Sequence, residues 1–203
     1  MEAGLLAVQA LRSVYQAAVM LSRASLFPHT ARPTVIIEAG RRKPPRIVCG
    51  NYMNILIVGP SWVGDMVMAQ TLFQCLKQRH PDCQIDVLAP EWSRPILERM
   101  PQVRKALSFP LGHGALELAT RRRIGKSLAG QYDQAILLPN SMKSALVPFF
   151  AGIAQRTGWR GEFRYGLLND VRKLDKARYP LMIERFMALA YAPGAELPTP
   201  YPR

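Results

Sequence analysis

At 203 residues, 49% of them apolar, the chain is long enough to bury one ordinary core, and its formal charge of +13 favours anionic partners: nucleic acid, a lipid surface or a phosphorylated substrate. Its three cysteines, Cys49, Cys75 and Cys83, form no CxxC pair, which argues against a disulfide framework or a zinc site and suits a reducing compartment. No run of 18 apolar residues exists, and the nearest, ALVPFFAGIA at 145–154, is too short to span a bilayer.

Residues 1–52 hold seven Arg/Lys against two Glu, a net +5, while 53–203 hold twenty against twelve, a net +8. The prefix divides into an amphipathic stretch, LLAVQALRSVYQAAVMLSRASLF, and a Pro/Arg-rich stretch, RPTVIIEAGRRKPPRIVCG. The first is interrupted by Arg12 and lacks a basic n-region, so it reads poorly as a secretory signal. Met53 stands directly before the first strand pattern, and we read it as the natural start, with 1–52 outside the fold and disordered. The competing reading of the prefix is an interfacial anchor followed by a basic linker.

From Met53 onward, elements alternate. NILIV (54–58) is a buried-strand run, and Met68, Leu72, Cys75 and Leu76 have the spacing of one helical face, with Cys75 a small core residue. QIDVLA (84–89) predicts a second strand, EWSRPILERM (91–100) a short helix and VRKALSF (103–109) a third strand. A helix is expected over ALELATRRRIGKSLAG, a strand over YDQAILLP (132–139) and a helix from NSMKSALVPFF. This order predicts an α/β fold: a Rossmann-like parallel sheet with helices on both faces. Beyond 155 no strong period is visible until LMIERFMALAY (181–191), which reads as a helix. We place the domain at 53–192 and a linker at 193–203, where the chain is Pro-rich.

The loop after the first strand, GPSWVGD, holds Gly59 and Gly64 in the frame of a phosphate-binding loop, but Asp65 stands where that loop carries lysine. A carboxylate there repels a polyphosphate. Asp65 therefore either caps or begins the following helix or acts as a general base towards a hydroxyl, and the two roles are compatible. A dinucleotide enzyme is disfavoured by the missing GxGxxG, and the acid it would need is met only loosely by Asp86. The Arg121–Arg123 cluster with Lys126 suits a soluble helix face, an anionic membrane surface or nucleic acid, although no nucleic-acid-binding motif is present. His113, between glycines, has no second ligand at metal spacing, and no DxD-type motif appears. Trp62 and Trp159 are each open to sugar stacking or to core packing.

Four long stretches, ILIVGPSWVGDMVMAQTL, MPQVRKALSFPLGHGALEL, LLPNSMKSALVPFFAGIAQRTGWRGEFRYGLLNDVRKLD and ERFMALAY, carry a resemblance to the N-terminal half of the lipopolysaccharide heptosyltransferases, glycosyltransferase family 9. It runs from Met53 to Tyr191 in order; the prefix has no part in it. The resemblance implies the N-terminal, acceptor-binding domain of a two-domain GT-B glycosyltransferase, with the ADP-heptose donor held mainly by a second domain. It implies an inverting transfer to the lipopolysaccharide inner core, in the cytoplasm or at the cytoplasmic face of the inner membrane; no cofactor, no metal-ligating residue and no specific nucleic-acid partner are expected from the residues, and metal dependence is left open. Asp65 matches the family's candidate base. Ser61, Trp62 and Gly64 of the same loop, with Lys143, Ser144, Arg156, Arg160 and Arg164, are the expected substrate contacts, the basic ones facing an anionic acceptor from the C-terminal edge of the sheet. The alternative is a basic anion- or nucleic-acid-binding Rossmann-like module without catalysis.

Overall fold

The computed structural model describes residues 53–109 and 116–202; the readings made on 1–52, on Cys49 and on His113 lie outside them. The described residues form a six-stranded sheet in the order β3-β2-β1-β4-β5-β6, every neighbouring pair parallel. Strand β1 is Asn54–Val58, β2 Gln84–Ala89, β3 Val103–Ser108, β4 Gln134–Leu137, β5 Gln155–Trp159 and β6 Asp170–Arg172. The helices are α1 (Val63–Arg79), α2 (Arg94–Leu97), α3 (Leu118–Ser127), α4 (Leu146–Phe150) and α5 (Met182–Met187).

The central strand explains the architecture. Ile55, Leu56, Ile57 and Val58 are all buried, so both faces of β1 are covered, as the crossovers of a parallel sheet require. Ile55, Ile57, Ile85, Val87 and Ile136 share one core cluster with Met66, Ala69, Leu72 and Phe73 of α1. Helix α1 packs on α5, and α3 packs on α4. Each fully buried aliphatic side chain contributes about 1.5–3 kcal/mol relative to exposure, so this cluster dominates the stability of the layer. Helix α1 also satisfies its own dipole, with Asp65 in the first turn and Lys77 and Arg79 in the last. Its buried face is Met66, Ala69, Leu72, Phe73, Cys75 and Leu76; Met68, expected in that face, is only partly buried at its margin.

Four expectations change. The helix expected over 91–100 is a 3-10 turn, Glu91–Ser93, followed by the single turn of α2; the one expected from 140 is a 3-10 turn, Met142–Ala145, followed by α4. The unpatterned region after 155 contains two strands, β5 and β6, joined without a helix. Strand β5 reads QRTGW, and its polar first half hides it from apolar periodicity even though Thr157, Gly158 and Trp159 are buried. Residues 193–202, read as a linker, fold back in part: Leu197 and Tyr201 pack against the core, and the Tyr201 hydroxyl donates to Glu184 Oε1 at 2.6 Å.

Asp86 is removed from any ribose-binding role. It is the third residue of β2, 1% exposed, and accepts from Arg104 Nε at 2.8 Å and Nη2 at 2.7 Å and from the Tyr132 hydroxyl at 2.7 Å. Arg104 also donates to Asn54 Oδ1 at 3.2 Å, which sets the group near the strand starts, away from the C-terminal edge where ligands of such sheets bind.

Candidate functional site

Strand order reverses between β1 and β4, so the crevice outside their carboxyl ends is the switch point of the sheet. A cleft of about 100 Å³ opens there, its floor made by Val58 and Gly59, one side by Ser61, Pro90 and Trp92, and the other by Pro139, Ser141, Lys143 and Ser144. Gly59 is closely surrounded: a Cβ there would lie 2.6 Å from the flexible tip of Met66, which would have to shift, and 3.3 Å from Ala89 Cβ. Gly64 has open space around it and carries no such demand.

Asp65 is the third residue of α1, four positions beyond Ser61. The N-cap position is Trp62, without a side-chain capping bond, so Asp65 is not the cap. Partly exposed, its carboxylate makes no hydrogen bond or ion pair among the described residues. It adds a favourable charge at the positive end of the helix. Trp62 beside it is 75% exposed, while Trp159 is buried against Tyr179 with its Nε1–H on Arg185 O at 3.1 Å, which settles Trp159 as core.

The opposite wall is tied down. Arg164, expected to face an acceptor, is buried: Nη1 donates to Pro139 O at 2.7 Å and to Ser144 Oγ at 3.4 Å, and Nη2 donates to Asn140 Oδ1 at 3.4 Å and to Trp159 O. Burial pushes its guanidinium down to about 10. Ser144 Oγ donates to Ser141 O at 2.6 Å, Glu162 N donates to Asn140 O at 3.1 Å, and Met142 N donates to Glu162 Oε2 at 2.9 Å. Gly161 fits closely beneath, since a Cβ there would fall 2.3 Å from Asn140 O. The strap 160–164 therefore holds the 139–144 loop from behind.

The four basic residues expected at one edge separate. Lys143 lines the cleft. Arg160 is exposed directly beyond the C-terminal end of β5. Arg156 is corrected: as the second residue of β5 it lies at the opposite end of the sheet, with Nε on Leu167 O at 2.6 Å, Nη1 on Ile153 O and its guanidinium 5.8 Å from the Phe149 ring centre. The reason is the unrecognised strand, which reverses the edge to which that position belongs.

Of the cleft residues that were not anticipated, two stand out. Arg121, grouped with surface arginines, is 3% exposed and lines the cleft; Nε donates to Leu116 O at 2.6 Å, Nη1 to Lys143 O at 3.1 Å, and the guanidinium lies 4.8 Å from the Phe109 ring centre. Burial lowers its pKa. Consecutive helix residues point in different directions, so of the three arginines only Arg122 and Arg123 face outward, as Lys126 does, a signal available from helical geometry alone. Trp92 is the other, and nothing in its local sequence marks it. Among the described residues no group of His, Cys, Asp or Glu is placed to hold a metal, and no helix is long and apolar enough to cross a membrane.

Comparison with known proteins matches residues 121–203 to the profile of glycosyltransferase family 9 (heptosyltransferase). Lipopolysaccharide heptosyltransferase 2 of Escherichia coli K12 is 64% identical over 143 residues, which cover 70% of this chain and 41% of that protein. Lipooligosaccharide heptosyltransferase 2 of Haemophilus influenzae is 63% identical over 139 residues, 68% of this chain and 40% of that protein. Among solved structures, E. coli ADP-heptose lps heptosyltransferase II superposes with a TM-score of 0.68 at 55% identity, covering 73% of this chain and 45% of that one. A second E. coli heptosyltransferase, solved with ADP, shares the fold at a TM-score of 0.55 and 21% identity, covering 72% of this chain and 49% of that one. The chain spans under half the length of the curated relatives it matches.

Proposed function

Because the chain belongs to glycosyltransferase family 9, we propose that it is the acceptor-binding domain of a two-domain GT-B heptosyltransferase, which transfers heptose from ADP-heptose to the first heptose of the lipopolysaccharide inner core. The observation that carries this reading is the unpartnered carboxylate of Asp65, in the first turn of α1 beside the switch-point cleft. In this reaction the acceptor hydroxyl oxygen bonds to the anomeric carbon as the bond from that carbon to the ADP phosphate oxygen breaks. The hydroxyl proton passes to Asp65, ADP leaves with the bonding pair, and the configuration inverts. One carboxylate is enough for this, unlike the pair used in glycoside hydrolysis.

Ser61 and Lys143 line the cleft that would take the acceptor, and Arg160 stands exposed at the same edge of the sheet. A cation at each of two places suits an anionic oligosaccharide. Arg164 and Ser144 support the loop that carries Lys143 and do not themselves meet the substrate in this reading. The donor binds mainly to the second domain. The reaction is placed at the cytoplasmic face of the inner membrane, where exposed Arg122, Arg123 and Lys126 of α3 can meet anionic headgroups, each contributing about 1 kcal/mol.

The test is heptose transfer from ADP-heptose to a core acceptor ending in a single heptose, comparing the chain alone, the chain joined to a donor-binding half, and the joined form with Asp65→Ala. Turnover is expected only in the joined forms, falling about 10²–10⁴-fold with Asp65→Ala while acceptor binding survives. Near-normal turnover in that variant removes Asp65 as the base; an inert joined wild type removes the function itself.

A further inference from the structure

Trp92 stands in the cleft wall on the 3-10 turn that follows β2, 49% exposed. Its Nε1–H donates to the carbonyl of Ser61 at 3.0 Å. That bond engages the polar end of the indole and ties the ring to the β1–α1 loop, the loop that leads within four residues to Asp65. Close to half of the residue stays exposed at the cleft, an apolar surface that a bound ligand would cover.

The remaining lining suggests what does. Beside Trp92 the cleft offers apolar surface from Pro90 and Pro139 and polar groups from Ser61, Ser141 and Lys143. A wall that is aromatic on one side and hydroxyl- and ammonium-bearing on the other matches a ligand that is apolar on one face and polar around its rim. A pyranose ring is such a ligand: one face presents C–H groups, while its hydroxyls project from the edge. Aromatic walls with a few fixed polar groups are the usual construction of small-molecule sites, and an indole already immobilised loses little conformational freedom on binding.

We propose that Trp92 stacks on the C–H face of a pyranose in the cleft, namely the acceptor heptose, and that its bond to Ser61 holds that sugar in register with the loop bearing Asp65. This deepens the acceptor reading and rests on it. Trp92 is a binding residue here; it takes part in no proton or bond transfer. The two components of its role are separable, because phenylalanine keeps an aromatic face and loses the N–H donor, whereas alanine loses both.

The experiment is calorimetric titration of the full 203-residue chain with a core oligosaccharide ending in a single heptose, for wild type, Trp92→Phe and Trp92→Ala, with circular dichroism to establish that each is folded. Trp92→Phe is expected to bind within about threefold of wild type and Trp92→Ala about tenfold or more weakly. In the chain joined to a donor-binding half, Trp92→Phe should lower kcat with KM little changed, since register is lost and the stacking face kept. Binding by folded Trp92→Ala within twofold of wild type overturns the stacking and leaves the acceptor reading intact. If wild type does not bind the oligosaccharide, the acceptor reading falls, and the same titration with ADP-heptose decides the rest: Trp92-dependent binding keeps the stacking with the donor sugar as its ligand, and no binding removes it.

Discussion

The β1–α1 side of the switch point differs from the β4–α4 side in how its side chains are held, and Asp65, Trp62 and Gly64 adjoin the cleft rather than line it. On the first, Asp65 has no partner among the described residues, Trp62 is largely exposed and Gly64 has open space around it. On the second, Arg164, Arg121, Glu162 and Ser144 bind the 139–144 loop at nearly every turn. A group that must accept a proton cannot also be saturated with hydrogen bonds, whereas groups that recognise a substrate gain from a fixed frame. In the function proposed above, the free carboxylate takes the proton and the fixed frame carries Lys143, so on that reading free and fixed side chains divide according to task.

The contrast can be broken most directly at Arg164. Arg164→Met leaves the carbonyls of Pro139 and Trp159 without their donor, at about 1–3 kcal/mol each, partly offset by removing a buried charge. We expect a net loss of about 3 kcal/mol in urea unfolding, and an unchanged midpoint would show that the strap does not hold the wall. On the free wall the same measurement should move much less. Asp65→Ala removes only a charge in the first turn of a helix, about 0.3–1 kcal/mol, and a larger loss would mean that the carboxylate has a structural partner in solution.

A third effect concerns pH. Tyr191 is pushed up to about 12, chiefly by burial and then by its hydrogen bond with Cys75. Its folded-state pKa lies above the unfolded value, so its contribution to stability is complete below about pH 10 and disappears as pH rises through about 12. Arg164, lowered to about 10, acts in the opposite sense over the same range, so the informative quantity is the difference between wild type and Tyr191→Phe. The wild type should lose its advantage over Tyr191→Phe between pH 10 and 12; parallel stability curves across that range would dismiss Tyr191 as a contributor.

Much of the sheet was legible in the sequence because its inner strands are continuous apolar runs: β1 and β2 have the bounds that NILIV and QIDVLA suggest. Strand β5 was not, because QRTGW is half polar and relies on Gly158, where a Cβ would sit 3.1 Å from Leu168 Cδ1, to pack closely. That omission moved Arg156 to the wrong edge. Asp65 stood out because it breaks a recognisable loop frame, a local signal. Arg164 did not reveal its burial, since its partners are backbone carbonyls of residues 139 and 159, which have no side-chain signature. Helical geometry alone separates Arg121 from Arg122 and Arg123, but the place of Arg121 and Trp92 in the cleft comes from the way α3 and β2 are set against β4, and no short window of sequence contains that information.

The pairing of β1 with β4 also bears on the order in which the molecule acquires its site. Asn54 N donates to Asp133 Oδ2 across 79 positions, and Ile55 is in register with Gln134, so the switch point is closed by a contact between segments far apart in the chain. Such contacts are slow to form because a long loop must be closed before they contribute anything. The β1–β2–β3 half can collapse around α1 earlier, but it has only one wall of the cleft. A chain in which β1 and β4 have not yet paired has one wall of the cleft and lacks the other, so the cleft is complete only once that long-range pairing has formed.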